Sequence, residues 1–166
     1  MNFEQKESHL KGKGTFATKV IKKGDKILSF TGKLINKKEM YHLVKEQIES
    51  YDDPLQIGEN EYLLLDNQSY YINHCCNPNT AISGTVDLIA IKTIHPGDEI
   101  TYDYSATEGH DSSWVMDCLC GAENCRKKIR DINSVPIKQI EKYYKAGGLQ
   151  THIRNYLNFK DANRSK

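Results

Sequence analysis

At 166 residues with 38% apolar content and a net charge of +1, the chain has the length of one domain with a tail and the material for a modest core. Its apolar stretches are short, as in Leu63-Leu64-Leu65 closed by Asp66, which excludes a transmembrane span. The opening Met1-Asn2-Phe3-Glu4-Gln5-Lys6 lacks the basic-then-apolar form of a secretory signal. An intracellular, reducing setting is therefore expected, where clustered thiols bind metal more often than they pair as disulfides.

The small net charge conceals a partition. Residues 1–40 carry ten lysines against four acids, residues 41–70 one lysine against seven, residues 71–125 one against eight, and residues 126–166 eleven Lys or Arg against three acids. The middle is acidic and the ends basic. The ends can neutralise the middle by folding onto it, and the acidic middle can also attract a basic partner.

In chain order, Gly12-Lys13-Gly14 reads as a turn, Thr15-Phe16-Ala17 as a short strand, Lys22-Lys23-Gly24-Asp25 as a turn, and Ile27-Leu28-Ser29-Phe30 as a strand that stops at Gly32. Asn36-x-x-Glu39 has the form of a capping box, so a helix is expected over about 37–50. Met40, Leu43, Val44 and Ile48 would form its apolar face and Asp52-Asp53-Pro54 its end. Short strands follow at Leu63–Leu65, Leu88–Ile91 and Ile100–Tyr102, the last after the turn His95-Pro96-Gly97-Asp98. A polar loop is expected from Ser105 to Ser113. Beyond Arg130, Ser134-Val135-Pro136 should start a helix that Gly147-Gly148 stops, with Ile137, Ile140 and Tyr144 on one face. A second short helix is expected around Leu149–Asn158, with Ile153, Tyr156 and Leu157 inward.

Three of the five cysteines fall in Cys118-x-Cys120-Gly121-x3-Cys125. A tetrahedral zinc site takes four ligands and thiolates suit it. The run supplies three, and Cys75 or Cys76 could supply the fourth. Two further constellations are weak alone. One is Asn73-His74 within Tyr71–Asn79, which reads as an ordinary polar turn. The other is Gly97-Asp98-Glu99-Ile100-Thr101-Tyr102-Asp103-Tyr104, whose tyrosines two apart on a strand would share one face.

In this order the set Gly12-Lys13-Gly14, Asn73-His74-x-Cys76-x-Pro78-Asn79, Gly97-Asp98-Glu99 with Tyr102-Asp103-Tyr104, and Cys118-x-Cys120-Gly121-x3-Cys125-Arg126 resembles the SET-domain protein lysine methyltransferases with a post-SET zinc segment. The resemblance runs from about Lys11 to Ile129. It implies an α+β, mainly β fold of small sheets with a pseudoknot-like threading of the C-terminal segment. It divides the chain into a SET domain (1–107, with a helical, acidic insert over about 37–66), a post-SET zinc segment (108–131) and a helical tail (132–166). S-adenosylmethionine would be held by Lys13, Gly14, Asn73, His74, Tyr104 and Leu119. A structural zinc would be held by Cys76, Cys118, Cys120 and Cys125. Tyr104 would be the active-site tyrosine, and Tyr102 the position that tunes how many methyl groups are added. By this resemblance the acidic stretch 41–70 lies beside the peptide groove, which favours a basic substrate such as a histone tail. A hydroxyl at position 102 favours mono-methylation, reaching at most di-methylation.

Three positions depart from the family pattern: Phe30 where Tyr is frequent, Lys33 where Glu is frequent, and Tyr70 where Arg is common. Phe30 motivates a rival reading, a catalytically inactive SET-like module that binds peptide. The run Arg126-Lys127-Lys128-Ile129-Arg130 motivates another, a zinc-ribbon binder of nucleic acid. The acidic middle argues against direct nucleic-acid binding. The tail helices could cover an exposed face, support the cofactor lid or mediate a homodimer.

Overall fold

The structure is a computed structural model and describes residues 2–46, 54–66, 71–109 and 112–158. Four small sheets form its frame. The first carries β1 (Phe3–Glu7), β2 (Lys13–Ala17), β10 (Glu99–Tyr102) and β7 (Asn73–His74) in the order β1-β2-β10-β7. β10, late in the chain, thus lies between two earlier strands, antiparallel to β2 and parallel to β7. The second sheet is β3 (Lys26–Ser29), β9 (Asp87–Ala90) and β8 (Thr80–Ser83), ordered β3-β9-β8. The third is β4 (Gly32–Asn36), β6 (Glu61–Leu65) and β5 (Pro54–Gln56), ordered β4-β6-β5. A two-residue ladder pairs β11 (Met116–Asp117) with β12 (Lys128–Ile129). The helices are α1 (Lys37–Lys45), α2 (Ile137–Lys145) and α3 (Thr151–Tyr156). The fold is α+β, mainly β, as the motifs imply.

Local signals explain several boundaries. Asn36 accepts from the Glu39 amide and Glu39 reaches back to the Asn36 amide, so the capping box starts α1. The helix closes at Glu46 rather than near residue 50, and Ile48 and Asp52–Asp53 lie outside the described residues. Gly32 starts a strand instead of ending one, because β4 runs so close to β6 that a Cβ there would collide with the Leu64 carbonyl. Gly12, at φ +50, turns the chain between β1 and β2, while Lys13 and Gly14 already belong to β2.

The main core gathers Ile100, Leu88, Ile94 and Ala90, all with no exposure, with Phe30, Leu55, Ile72 and Tyr102 around them. Each such aliphatic side chain contributes roughly 1.5–3 kcal/mol by leaving water. The tail builds a second core. Ile140, Tyr143, Leu149 and Ile153 dock on Ala81 and Ile91, and Gly148 approaches Ala81 so closely that a Cβ would stand 2.5 Å from its methyl. Ile137, expected on the inner face of α2, is 60% exposed and Tyr143 takes the inner place. Tyr156, also expected inward, is 39% exposed. The segment expected as a polar loop after Ser105 is partly internal, since Ser105, Ala106 and Thr107 are buried.

Candidate active site and metal centre

The site is assembled where β10 meets β7. Their parallel register sets Thr101 beside Asn73 and Tyr102 beside His74. Asn73 Nδ2 donates into a nest of acceptors: the Lys11 carbonyl at 3.2 Å, the Lys13 carbonyl at 3.0 Å and Glu99 Oε1 at 2.7 Å. Glu99 also accepts from Ser8 Oγ at 2.8 and 2.9 Å. Gly14 makes this possible, because any Cβ there would overlap the Glu99 carboxylate. Asn79 ties the same strand down, donating to the Glu99 carbonyl at 2.8 Å and accepting from the Thr101 amide at 2.9 Å.

Asn73 and His74 face a cavity of about 240 Å³ whose other walls are Leu10, Lys11, Tyr104, Met116, Asp117, Cys118, Leu119 and Cys120. The cavity therefore lies between the β1–β2 loop and the cysteine knuckle. Leu119, 83% exposed, overhangs it as an apolar flap. Lys13 and Gly14 stand behind the wall and act on it through Asn73 and Glu99. Lys13 also lays its ammonium 5.4 Å from the Tyr71 ring.

Tyr104 lines this cavity and also packs among aromatic rings. β10 ends at Tyr102, and Tyr104 opens a 3₁₀ turn, Tyr104–Ala106, capped by Asp103. The two tyrosines therefore do not share one strand face, yet their rings meet at 4.8 Å. The Tyr104 hydroxyl donates to the Ile72 carbonyl at 2.9 Å. Its ring also lies 5.3 Å from His74 and 6.4 Å from Trp114. Phe30 meets Tyr102 edge-on at 5.7 Å. Burial pushes the Tyr102 phenol well above its ordinary value, so it stays a neutral hydroxyl. Burial likewise lowers His74 to about 4, against the pull of Asp103. Its Nδ1 accepts from the Tyr104 amide at 3.2 Å, so Nε2 carries the proton and faces Cys76 Sγ at 3.4 Å.

Cys76, Cys118, Cys120 and Cys125 present four sulfurs within 4.8 Å of one another. Cys118 Sγ lies 3.9 Å from Cys76 Sγ and 3.7 Å from Cys125 Sγ. A tetrahedron with Zn–S bonds of 2.3 Å has edges of ~3.8 Å, so the set fits a four-thiolate zinc site. All five cysteines are free thiols, and Cys75 is outside the cluster. The Arg126 amide donates to Cys76 Sγ at 3.3 Å and the Cys76 amide to Cys120 Sγ at 3.5 Å, bonds that favour thiolates. Burial pushes Cys76 up to about 11. Burial acts the same way on Cys120, but amide donors from Cys76 and Ala122 outweigh it and bring that thiol to about 7. Asn124 closes the knuckle, donating to the Cys76 carbonyl at 3.0 Å.

The sequence reading did not anticipate Trp114, Met116, Leu10 or the Ile72 carbonyl in this site. Trp114 is the single tryptophan, and nothing in its neighbours' spacing marks it. The basic run after Cys125 is not one charged face. Arg126 turns inward to Asp103, Ile129 is fully buried, and only the lysines and Arg130 remain outside. Phe30 is a core residue against Tyr102, Lys33 is exposed, and Tyr70 lies outside the described residues. Among the described residues no helix is long and apolar enough to cross a membrane.

Residues 12–105 match the family model described as SET domain. The chain is 31% identical over 138 residues to the histone-lysine N-methyltransferase trithorax of Drosophila melanogaster, covering 72% of this chain and 4% of that protein. It is 32% identical over 143 residues to the histone-lysine N-methyltransferase mes-4 of Caenorhabditis elegans, covering 69% of this chain and 15% of that protein. With ASHH3 of Arabidopsis thaliana, also named histone-lysine N-methyltransferase, it shares 33% over 134 residues, 71% of this chain and 35% of the relative. The chain thus spans a minor part of these relatives. Among solved structures, the methyltransferase domain of human SETMAR superposes with a TM-score of 0.63 at 21% identity, covering 78% of this chain and 58% of that one. KRYPTONITE in complex with mCHG DNA and SAH superposes at 0.61 and 23% identity, covering 78% and 29%.

Proposed function

Because the chain belongs to the SET-domain family, we propose that it transfers a methyl group from S-adenosylmethionine to a lysine side chain of a basic, histone-like protein. The observation that supports this reading is the position of Tyr104. It lines the cavity of Asn73 and His74, and its ring also meets those of Tyr102 and Trp114, with Phe30 against Tyr102, so that donor and acceptor could meet beside it.

The reaction passes a methyl in line from a sulfonium to a neutral amine. Lysine's pKa of ~10.4 makes the neutral form cost roughly 4 kcal/mol near pH 7.4. An aromatic, dry channel disfavours the ammonium and lowers that cost. Tyr104, Tyr102 and Phe30 would supply such walls, and alignment most of the remaining acceleration. Asn73 and His74, with Lys13 and Gly14 behind them and Leu119 and Tyr104 across, would hold the cofactor. Cys76, Cys118, Cys120 and Cys125 would hold one structural zinc, whose role is to fix the knuckle that carries Leu119 and the cavity's far wall. The divisions 1–107, 108–131 and 132–166 then correspond to methyl-transfer unit, zinc knuckle and tail. The hydroxyl of Tyr102 crowds an amine that already bears methyl groups, which favours the mono-methyl product. A histone substrate implies that the protein works in the nucleus or wherever such a basic partner is met.

The deciding experiment incubates zinc-loaded protein with radiolabelled S-adenosylmethionine and a panel of core histones, then maps the methylated residues. Label on lysine is expected. Protein that binds S-adenosylhomocysteine yet labels no histone or extract protein would favour the rival reading, an inactive peptide-binding module in which Phe30 has replaced a channel hydroxyl.

A further inference from the structure

The tail reaches the Asp103 carboxylate through the Tyr143 hydroxyl. Tyr143 of α2 is fully buried, and its phenol donates to Asp103 Oδ2 at 2.9 Å. The Asp103 side chain is 1% exposed. Arg126, next to the zinc-site residue Cys125, grips it with two parallel bonds, Nη1 to Oδ2 at 2.7 Å and Nη2 to Oδ1 at 2.6 Å. Oδ1 also accepts the Ser105 amide at 3.1 Å, which caps the 3₁₀ turn that carries Tyr104. One buried carboxylate therefore joins tail, knuckle and the Tyr104 turn.

A carboxylate without solvent holds its orientation through its donors. Oδ2 takes Arg126 Nη1 and the Tyr143 phenol. Without the phenol, Oδ2 is left to the guanidinium, and the carboxylate can swing away from the Ser105 amide. Tyr104 begins the turn capped by that bond, and its own amide is the donor to His74 Nδ1. The docking of α2 does not depend on the phenol oxygen, since Ile140, Leu149 and Ile153 bury it and Gly148 meets Ala81.

We propose that Tyr143 is a positioning residue for methyl transfer: its hydroxyl orients the Asp103 carboxylate that caps the Tyr104 turn, which makes tail helix α2 a working part of the active site. The inference rests on the methyltransferase reading above. It concerns a residue beyond the matched segment 12–105, in the tail that the family motifs do not cover.

The test is Tyr143→Phe in the full, zinc-loaded chain. The expected result is unchanged zinc content, a Tm within a few degrees of wild type, a kcat about five- to tenfold lower, and a KM for S-adenosylmethionine within about twofold. Asp103→Asn should lower kcat as well, and adding Tyr143→Phe to it should cost nothing further, because both act through one carboxylate. A Tm loss with kcat of the folded fraction unchanged, or fully additive effects, would overturn the proposal. Trp114, the single tryptophan, has its ring 6.4 Å from that of Tyr104 and reports the same geometry without turnover. Should wild type transfer no methyl to any substrate, a shifted Trp114 emission in Tyr143→Phe would uphold the coupling while the methyltransferase reading fails. Unchanged emission would sink the coupling itself.

Discussion

The strands around β10 and the knuckle from Met116 to Ile129 are held by different forces. The strands bury Ile100, Leu88 and Ile94 completely and need nothing but their own side chains. The knuckle owns two paired residues per strand, and its Leu119 is 83% exposed. Its order rests on contacts with the core: three thiols gathered around Cys76 in a set that could hold zinc, and the Arg126 fork on Asp103. The first region is an ordinary core. The second is a loop tied to that core at two points, and the cavity wall of Cys118, Leu119 and Cys120 lasts only as long as the ties hold.

The strongest way to break this contrast is to remove a thiol from the cysteine cluster that could hold zinc. Structural zinc in small thiolate sites is worth roughly 10–16 kcal/mol of apparent binding free energy, and that energy is spent on folding the ligand loop. Cys76→Ser should abolish stoichiometric zinc, measured by elemental analysis, and with it S-adenosylhomocysteine binding. The β-rich far-UV signal of the core should persist. A mutant that keeps zinc and cofactor affinity would show that the knuckle stands without its fourth thiolate.

Next comes the second tie. Arg126→Met leaves the Asp103 carboxylate buried with only the Tyr143 phenol and the Ser105 amide, and breaking a buried pair from one side costs about 3–5 kcal/mol. Urea denaturation should register that loss. Arg126→Lys keeps the charge but not the fork, and should fall between Met and wild type. Inside the site, Tyr104→Phe should cut kcat by about a hundredfold or more with zinc content unchanged, the scale of losing one well-placed active-site hydroxyl. Tyr102→Phe has the smaller effect on rate and moves the product instead. Mass spectrometry should find mainly mono-methyl-lysine from wild type and a higher methyl state from the mutant. Mainly trimethyl-lysine from wild type would contradict the role given to the Tyr102 hydroxyl.

The same contrast marks what could be read from the chain alone. Signals that act within a few residues were legible: the Asn36–Glu39 box, the turns Lys22–Asp25 and His95–Asp98, and the Cys118–Cys125 spacing. Elements that exist only through distant pairing were not. β1 has largely exposed side chains and no apolar alternation, so its only mark is the partner it finds in β2. β7 is two residues long and is a strand only because β10 threads beside it. Gly32 looked like a stop because glycine usually is one, and the close approach of β6 reverses that meaning. The Asp103 hub joins residues 103, 126 and 143, whose separations of 23 and 40 positions carry no periodic trace. Ile137, Ile140 and Tyr144 share a helical face on paper, but the apolar docking of α2 on Ala81 and Ile91 buries Tyr143 and leaves Ile137 60% exposed.

The gentlest probe addresses the tail's hold on the core rather than the knuckle's. His152 Nε2 lies 3.2 Å from the Thr107 carbonyl and must carry the proton to bond it, which leaves Nδ1 bare and without a partner. Burial lowers this imidazole below its ordinary value of ~6.5, so the folded chain keeps it neutral where the unfolded chain would charge it. Above about pH 6.5 the two states bind the same number of protons there and stability is unaffected. As the pH falls below that value the unfolded chain takes up a proton that the folded chain refuses, and stability drops by at most about 1.4 kcal/mol per unit. His152→Gln retains an amide donor for Thr107 and has nothing to titrate. Its urea midpoint between pH 7.5 and 5.5 should therefore fall less steeply than that of wild type. Other titrating groups, the buried His74 among them, add the same slope to both proteins, so the difference between the two curves isolates the tail, and coincident curves would mean that His152 contributes none of it.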